Sequence, residues 1–409
     1  MDKILIGLLV FVLLNGSVCG VFVILNENNA AEMMAYIDTF AAEQDEEQLA
    51  PELDEYGYYY FTTDEDFKVL HLTDVHITGG YANAEQDKKA INAVAAMVRA
   101  EDPDLVVVTG DIAFAIPSTG TINNRYAHEM FIHLMETLGV YWTVTFGNHD
   151  NEPFNFLDRR AVADMYANPD LEYCLFSHSP AEVSGEGNHV INGKNSKGEV
   201  TQSLIMVDTH AYIHMDLIGG LIDTLMWNYD CVKPDQADWY QEMIERYSPK
   251  SSLMFFHIPL GAVKQAYDEY VANGESEDLK WHSGDDGEID EVVYSSRIEA
   301  ELSENERLFD RVLALGNTKA MFFGHDHLNN FVLEYKGVLF SYGYSIDYSA
   351  YDGDLEYRGL QRGCTILTIA PDGSFDADDI VHENYYLQDR YQPIYGKDEG
   401  VTMDPLYEK

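Results

Sequence analysis

The first part of the chain's central region alternates short apolar runs with amphipathic stretches. Runs typical of strands lie at 68–73, Leu105–Val108 and Val140–Phe146, and each is short and rich in β-branched or aromatic residues. Between them, residues 84–100 and about 125–138 carry apolar side chains at helical spacing. This strand, helix, strand order predicts βαβ units and a mostly parallel sheet.

The second part of this region repeats the alternation less regularly. It predicts strands at Ser203–Asp208, Ser252–Phe256 and Ala320–Phe323. It also predicts helices at Pro234–Tyr247 and in a segment that ends at about Leu315. The acidic stretch 266–300 is expected to form a lid or a surface loop. Strands near 331–335, 338–343 and 363–370 are expected to form an antiparallel meander that closes the domain.

Five polar clusters each follow one of the predicted strands. They are Asp74-Val75-His76, Gly110-Asp111, Gly147-Asn148-His149-Asp150, His257, and Gly324-His325-Asp326-His327. Ligands in parallel sheets bind beyond the carboxyl ends of the strands, so we expect these side chains to meet at one edge. Carboxylate, amide and imidazole groups together suit Mn, Fe or Zn, and their number suits two divalent cations that share a bridging carboxylate.

The N-terminus carries one apolar run of 22 residues, Ile4 to Leu25, which follows Lys3. Its length fits a membrane anchor with the N-terminus inside, and a cleaved signal peptide ending near Val18-Cys19-Gly20 is the alternative. Either interpretation predicts an exported protein, anchored at the outer face of the cell membrane or secreted. We therefore divide the chain into an anchor or signal segment (1–25), an acidic stalk (26–66), a domain (67–385) and an acidic tail (386–409).

The charge balance restricts the partners. The 409 residues include 71 acidic and 25 basic ones, which gives a net charge of −46. Such a surface repels nucleic acid, and the sequence has no cluster of Lys or Arg that would offset this locally. A small phosphate ester that binds at a metal site remains compatible, because bound cations reverse the local field.

Cysteine use is sparse. Beyond the apolar run the chain has Cys174, Cys231 and Cys364, which allow at most one internal disulfide, and Cys174 with Cys231 is the expected pair. None of the spacings matches a zinc–cysteine site, so any metal must be held by His, Asp and Asn.

The clusters and their order resemble those of the calcineurin-like metallophosphoesterase superfamily, over residues 67 to about 370. Gln236-x-x-Trp239 and Gly324-His325-Asp326-His327-x-Asn329-Asn330 are similar to a purple-acid-phosphatase-like branch. Purple acid phosphatases proper have a tyrosine ligand three residues after the second-cluster Asp, where this chain has Phe114. The resemblance therefore implies a branch with an Asp-x-His first cluster and without an iron–tyrosinate centre.

The resemblance implies an α/β fold, a two-sheet mixed β sandwich flanked by helices in four layers. It assigns one metal to Asp74, His76 and His327 and the other to Asn148, His257 and His325, with Asp111 as the bridge. It also implies that His149 donates a proton to the leaving group and that Asp150 orients His149. Two cations about 3.5–4 Å apart would bind the phosphate and convert a bridging water into a hydroxide nucleophile.

Alternatives remain for function and for the other histidines. The ester is a monoester or a diester, and a non-catalytic surface binding protein on the same scaffold is the third hypothesis. His71 is expected to be a core residue, and His210 is kept as an alternative pocket residue. The remaining histidines are expected at the surface: His178, His189, His214 and His282.

Overall fold

The computed structural model describes residues 2–40, 48–284, 299, 301–303, 306–350 and 362–392, with side chains from residue 20 onward. The strands are β1 Glu52–Leu53, β2 Tyr59–Thr62, β3 Phe67–Leu72, β4 Leu105–Thr109, β5 Trp142–Thr145, β6 His189–Lys194, β7 Val200–Met206, β8 Ser251–Phe255, β9 Leu279–Ser283, β10 Thr318–Phe323, β11 Val332–Tyr335, β12 Val338–Tyr342, β13 Gly363–Ile369 and β14 Ile380–Asn384. The helices are α1 Asp2–Ile37, α2 Ala84–Glu101, α3 Arg125–Leu138, α4 Arg159–Tyr166, α5 Leu217–Met226, α6 Pro234–Tyr247, α7 Gly261–Asn273 and α8 Leu308–Leu315.

The strands form two mixed sheets that pack face to face. The larger sheet has the order β1-β2-β6-β7-β8-β10-β12-β11-β9, and the smaller one has the order β14-β13-β3-β4-β5. Strands β3, β4 and β5 run parallel, as do β7, β8, β10 and β12, so two parallel blocks face each other. The predicted two-sheet sandwich flanked by helices is confirmed.

Strand β4 shows why the apolar runs are continuous. Leu105 and Val107 belong to the core between the two sheets, whereas Val106 and Val108 belong to the core under the helices. A strand that is buried on both faces has no solvent-facing positions and therefore no need for polar residues. A third core lies between the larger sheet and helices that include α6 and α8, which completes a helix–sheet–sheet–helix arrangement.

Two predictions about the second half are corrected. Strands β11 and β12 do form an antiparallel pair, but β13 lies in the other sheet, between β3 and β14. The acidic stretch predicted as a lid or loop contains most of α7 and all of β9, while its residues 285–298 lie outside the described ones. Strand β9 pairs with β11, so this part of the stretch extends the larger sheet.

The N-terminal helix α1 packs on the domain through its C-terminal half. Met33 and Ile37 of α1, and Phe40 in the turn that follows it, are buried in the core that also contains α2 and α3. Part of the segment predicted as a stalk therefore lies against the domain, and β2 joins the larger sheet. Within the residues that the structure describes, no helix is both long and apolar enough to span a membrane. The side chains of residues 2–19, which make up most of the predicted anchor, lie outside this description.

The predicted C-terminal tail also starts on the domain. Tyr391 is buried, and its hydroxyl donates to Glu101 Oε1 at 2.9 Å, while Arg390 contacts the same carboxylate at 2.6 Å. Residues 393–409 lie outside the described ones.

The predicted disulfide is absent. Cys174, Cys231 and Cys364 are all free and buried. Cys174 lies in the core beneath the smaller sheet, where its backbone pairs with Trp142, whereas Cys231 lies just before α6, next to Val232 of the core between the larger sheet and its helices. Burial also raises the pKa of the Cys231 thiol to about 11.

Candidate metal centre

Five strand ends meet at one edge of the sandwich. Strands β3, β4 and β5 of the smaller sheet lead to Asp74, Asp111 and Asn148, and β8 and β10 of the larger sheet lead to His257 and His325. The two sheets touch at this edge, where Thr73 and Ser345 pair as an isolated parallel bridge. The polar clusters of both sheets are thereby brought together, as expected for the carboxyl ends of parallel strands.

The backbone is strained at this edge. Asp74, His76, Asp111 and His325 have φ angles of 51°, 54°, 51° and 75°, in the left-handed region that side-chain-bearing residues rarely adopt. Such conformations cost about 1–3 kcal/mol each and collect at functional sites. Gly110 has φ 80°, and a Cβ on it would lie 2.3 Å from the backbone nitrogen of Gly147. The turns after β4 and β5 thus touch, and only glycine fits between them.

One group of donors consists of Asp74, His76, Asp111 and His327, which are all buried. Each offers an atom within 4.8 Å of the atoms of the others. His327 Nε2 lies 3.2 Å from Asp74 Oδ1, and His76 Nε2 lies 3.5 Å from Asp111 Oδ2. Two carboxylates and two imidazoles in this arrangement could hold one divalent cation.

A second group shares Asp111 with the first. It adds His257 and His325 within the same 4.8 Å limit, and His257 Nε2 lies 3.0 Å from Asp111 Oδ2. Asp111 is therefore the one residue that belongs to both groups among the described residues. This is the position that the sequence assigned to the bridging carboxylate.

Asn148 lies beside Asp111 and leaves an oxygen free. The neighbouring His149 donates its backbone N–H to Asp111 Oδ1 at 2.7 Å. The Asn148 side-chain nitrogen lies 3.5 Å from the Tyr212 hydroxyl, and its Oδ1 is buried without a hydrogen-bond partner among the described residues. A buried acceptor without a donor is costly, so this oxygen fits a metal ligand.

Hydrogen bonds on the far side of the imidazoles fix which nitrogen faces the cluster. His257 Nδ1 lies 2.7 Å from the Thr109 carbonyl, to which it can only donate, so its Nε2 is left as the ligand atom. Asp347 acts on two histidines at once, with Oδ1 3.4 Å from His76 Nδ1 and Oδ2 3.2 Å from His327 Nδ1. Carboxylates in this position orient metal-binding imidazoles and raise their basicity.

The sequence patterns do not identify Asp347 as a residue of this site. It follows strand β12 and is fully buried, and its backbone neighbour Ile346 donates to the Asp74 carbonyl at 3.2 Å. The signal that could have found it is its place after a strand that runs parallel to β10.

The cluster favours charged carboxylates. Burial raises the pKa of Asp74, but His327 outweighs this and brings it to about 2. Burial likewise opposes ionisation of Asp111, yet His257 and His149 hold its pKa well below the usual value. Burial lowers the pKa of His257, but Asp111 raises it to about 9, whereas burial and His257 lower that of His325 to about 3. A proton on His257 therefore balances carboxylate charge in this cluster. A divalent cation would balance the same charge, so its binding would release that proton.

His149 borders the cluster and is partly exposed. Its side chain is 24% accessible, and its ring meets the ring of His76 edge-on at 5.4 Å. Its Nδ1 lies 2.5 Å from Glu152 Oε1, and the Glu152 carboxylate is buried. Among the histidines named here, it combines access to solvent with proximity to the donor groups.

The role predicted for Asp150 is corrected. Its carboxylate accepts the backbone N–H groups of Gly147, Asp111, Ile112 and Ala113 at 2.7, 3.0, 2.9 and 3.1 Å. These bonds shape the left-handed turn at Asp111 and leave no contact with the His149 ring. Glu152 is the residue that orients His149, and Asp150 is a structural residue of the turn.

Phe114 packs on the cluster from one side. Its ring is stacked on His76 at 4.7 Å with an interplanar angle of 7°. At the position where purple acid phosphatases have a tyrosine ligand, this chain therefore has an apolar wall that holds a histidine ring in place.

The other histidines fall outside the donor groups. His71 is buried and bonds to the Thr109 hydroxyl at 2.7 Å, as predicted for a core residue. His210 has φ 64° and lies 3.0 Å from Gln236 Oε1. The surface prediction is wrong for His189, which is buried between the Thr143 hydroxyl and the Gly187 carbonyl, each at 2.7 Å.

The contacts of Asp347 lead to a prediction for metal affinity. Asp347→Asn removes the negative charge behind His76 and His327, so we expect metal affinity to fall about 10–100-fold. Competition between the protein and a chelating dye for Mn²⁺ or Zn²⁺ measures this. Asp372→Asn, at an exposed carboxylate, is the control. Equal affinity in both variants would show that Asp347 does not support the ligands.

Comparisons with known proteins give one family model and several similar proteins. The family model described as calcineurin-like phosphoesterase matches residues 67–329, which is more than half of the chain. A protein of Arabidopsis thaliana named probable inactive purple acid phosphatase 28 is 25% identical over 323 residues, covering 71% of this chain and 73% of its own. Probable inactive purple acid phosphatase 29 from the same plant is 25% identical over 326 residues, or 71% and 74%.

One solved structure among those similar is a dimetal phosphatase from Danio rerio. It is 12% identical and covers 74% of this chain and 92% of its own, with a TM-score of 0.42.

Proposed function

Because the chain belongs to the calcineurin-like phosphoesterase family, we propose that it hydrolyses phosphate esters at a centre of two divalent metal ions. The observation that carries this proposal is Asp111, whose carboxylate belongs to both groups of donors. A single shared carboxylate between two donor sets is what a pair of adjacent cations requires.

The residues divide between the two ions as the sequence suggested. Asp74, His76 and His327 would hold one ion, Asn148, His257 and His325 would hold the other, and Asp111 would bridge them. The metal identity is Mn, Fe or Zn, according to the mixture of oxygen and imidazole ligands. When bound, such a pair supplies Lewis acidity toward the phosphate and activates water as a nucleophile.

His149 is the residue proposed to donate a proton to the leaving oxygen. Its ring lies beside the donor groups and reaches solvent, so it can contact an ester bound at the centre. The contact between its Nδ1 and Glu152 favours a proton on Nδ1 and leaves Nε2 toward the cluster side. Glu152 thereby fixes the orientation of the His149 ring.

The substrate is a small phosphate ester. With a net charge of −46, the surface opposes binding of polynucleotides, whereas a compact phosphate can be held by the metal pair itself. We also propose that the protein is exported, and that the apolar run Ile4–Leu25 anchors it at the outer face of the cell membrane or serves as its signal segment.

A non-catalytic binding protein is the second candidate, and one observation favours it. The two plant relatives carry the word inactive in their names. Against it stands the complete donor set, since a scaffold that has lost catalysis has no need for strained backbone at four donor residues.

Hydrolysis assays on the full chain in mild detergent test the proposal and divide its alternatives. We expect added Mn²⁺ to support hydrolysis of p-nitrophenyl phosphate or of bis(p-nitrophenyl) phosphate, and a chelator to abolish it. The faster of the two esters identifies a monoesterase or a diesterase. Stoichiometric bound metal without hydrolysis of either ester would favour the binding protein.

A further inference from the structure

The exposed apolar side chains of this protein are concentrated in a few places. Among the described residues, 20 large apolar side chains are exposed, and 15 of them lie at 21–24, 81, 122, 156 and 215–227. Scattered single apolar residues are normal on a protein surface, but a concentration of this kind marks an interaction site. We call these five stretches the apolar surface.

Helix α5 forms the largest part of the apolar surface, and its polarity is inverted. Ile218, Leu225 and Trp227 are 74%, 80% and 68% exposed, whereas Asp223 is only 4% exposed. The buried Asp223 carboxylate accepts the His214 backbone N–H at 2.8 Å. The helix thus buries Gly220 and Asp223 and directs its apolar side chains outward.

Contacts join α5 to the end of the apolar run in α1. Gly220 packs so closely on Pro153 that a Cβ would lie 2.4 Å from its ring. Three residues on, Phe156 donates its backbone N–H to the Ile122 carbonyl at 3.1 Å.

The next contacts reach α1 itself. Asn26 in α1 donates to the Gly120 carbonyl at 3.1 Å and accepts the Tyr81 backbone N–H at 2.9 Å. The Phe22 ring lies 6.1 Å from the Tyr81 ring. The five stretches are therefore linked to one another through neighbouring contacts.

The apolar surface borders the metal centre. Tyr212 and Tyr229 stand at the base of the segment that carries α5, and their rings stack at 5.5 Å. The Tyr229 ring lies 4.6 Å from the His325 ring, and the Tyr212 hydroxyl lies 3.5 Å from the Asn148 amide nitrogen. Both tyrosines thus connect α5 to proposed metal ligands.

We propose that the apolar surface lies on a lipid bilayer of low surface charge and presents the metal centre to phosphate esters of amphiphiles in that bilayer. The docking depends on the apolar surface, and the substrate class rests on the proposed function. Exposed aliphatic residues followed by a tryptophan are typical of helices that lie in a membrane interface. The 22-residue run Ile4–Leu25 is long enough to cross a bilayer, and it ends at this surface with Val21–Ile24 exposed.

The negative charge of this protein distinguishes a zwitterionic bilayer from other possible partners of the apolar surface. Residues 211–230 contain three Asp and no Lys or Arg, and the whole chain carries −46. Anionic membranes and a second copy of the chain would both be repelled, whereas zwitterionic lipid would not. The bilayer that binds the apolar surface is therefore expected to have a low surface charge.

The fluorescence of Trp227 reports lipid contact next to α5, and binding through the N-terminal run alone would not produce this signal. Of the four tryptophans, Trp142 and Trp239 are buried and Trp281 is partly buried, so Trp227 is the most accessible to lipid. We expect phosphatidylcholine vesicles with brominated acyl chains to quench the fluorescence of the full chain, and Trp227→Phe to remove most of this quenching. Vesicle binding without quenching of Trp227 would overturn the proposal, and so would no vesicle binding.

A pair of matched triple variants tests the contribution of α5. Ile218→Ser, Ile222→Ser and Leu225→Ser together remove three exposed side chains from α5, and the control replaces Leu53, Val271 and Leu387, which are exposed elsewhere. We expect the α5 variant to lose most of the Trp227 quenching by brominated acyl chains and the control to lose little. Equal effects would overturn the proposal, as would an α5 variant that changes only the mass of the particle in light scattering, which indicates a second copy.

Activity assays separate this proposal from the proposed function. We expect the α5 variant to hydrolyse phosphatidic acid in phosphatidylcholine vesicles at least about tenfold more slowly, with little change on p-nitrophenyl phosphate. Vesicle docking without hydrolysis of any ester would overturn the proposed function and retain the docking. Equal rates of wild type and α5 variant on the vesicle-borne ester would overturn the proposed substrate class alone.

Discussion

Asp111→Asn is expected to lower kcat/KM for phosphate ester hydrolysis by at least about a thousandfold. Asp111 is the residue shared by both donor groups, with its Oδ2 3.0 Å from His257 Nε2 and 3.5 Å from His76 Nε2. An amide oxygen carries no negative charge, so it is a weak bridge between two cations and cannot balance their charge. Removing a group that holds both ions costs several kcal/mol of transition-state stabilisation.

Metal content separates this explanation from a loss of folding. We expect purified Asp111→Asn protein to retain at most one ion per chain, with a circular dichroism spectrum like that of the wild type. Asp378→Asn, at an exposed carboxylate, should keep both metal content and activity. An Asp111→Asn variant with full metal content and wild-type kcat/KM would show that this carboxylate is not the bridge.

His149→Ala is expected to lower kcat by about a hundredfold to ten-thousandfold without loss of metal. This range is that of a general acid in other enzymes. His149 lies beside the donor groups without belonging to them, and it keeps 24% of its side chain accessible. The loss should be smaller for esters with a good leaving group such as p-nitrophenol, since those need less protonation.

Comparison of two leaving groups is the measurement for His149. The ratio of variant to wild-type kcat should fall further for an alkyl phosphate than for p-nitrophenyl phosphate. His282→Ala removes a partly exposed histidine that contacts Glu334, and it should leave both rates unchanged. An equal loss on both esters, or a loss of bound metal, would assign His149 to a different role.

Much of the centre could be read from the sequence because its residues come from strand ends. The apolar runs before Asp74, Asp111 and His257 mark buried strands, and parallel order places their ends at one edge. What the sequence could not give were contacts set by the turns themselves. Asp150 and Glu152 are both acidic neighbours of His149, and only the turn geometry decides that Glu152 contacts the imidazole.

Long-range pairing explains the other differences. Asp347 lies 20 residues after His327 and outside any local spacing, and the parallel pairing of β10 with β12 brings it to the imidazoles. Strand β13 has the same alternation as β11 and β12, but it pairs with β3 in the other sheet. Apolar pattern indicates a strand and a buried face without naming the neighbouring strand.

Helix α5 shows that an apolar sequence does not by itself say what covers the apolar side chains. Leu and Ile are residue types that are most often buried, yet the structure exposes Leu225 and Ile218 to solvent. An apolar stretch can be buried by the protein, by a partner or by lipid, and periodicity is the same in all three cases. The distinction comes from Asp216 and Asp223, which cap and anchor the helix from its polar side.

The most direct test of the proposed function is to count the bound metal ions and to measure whether they interact. Elemental mass spectrometry of the full chain loaded with Mn²⁺ gives the number of ions per chain, and electron paramagnetic resonance reports whether the ions are magnetically coupled. We expect two ions per chain that are magnetically coupled through a shared carboxylate, at a separation of about 3.5–4 Å. A single ion per chain, or two ions without coupling, would contradict a dinuclear centre bridged by Asp111.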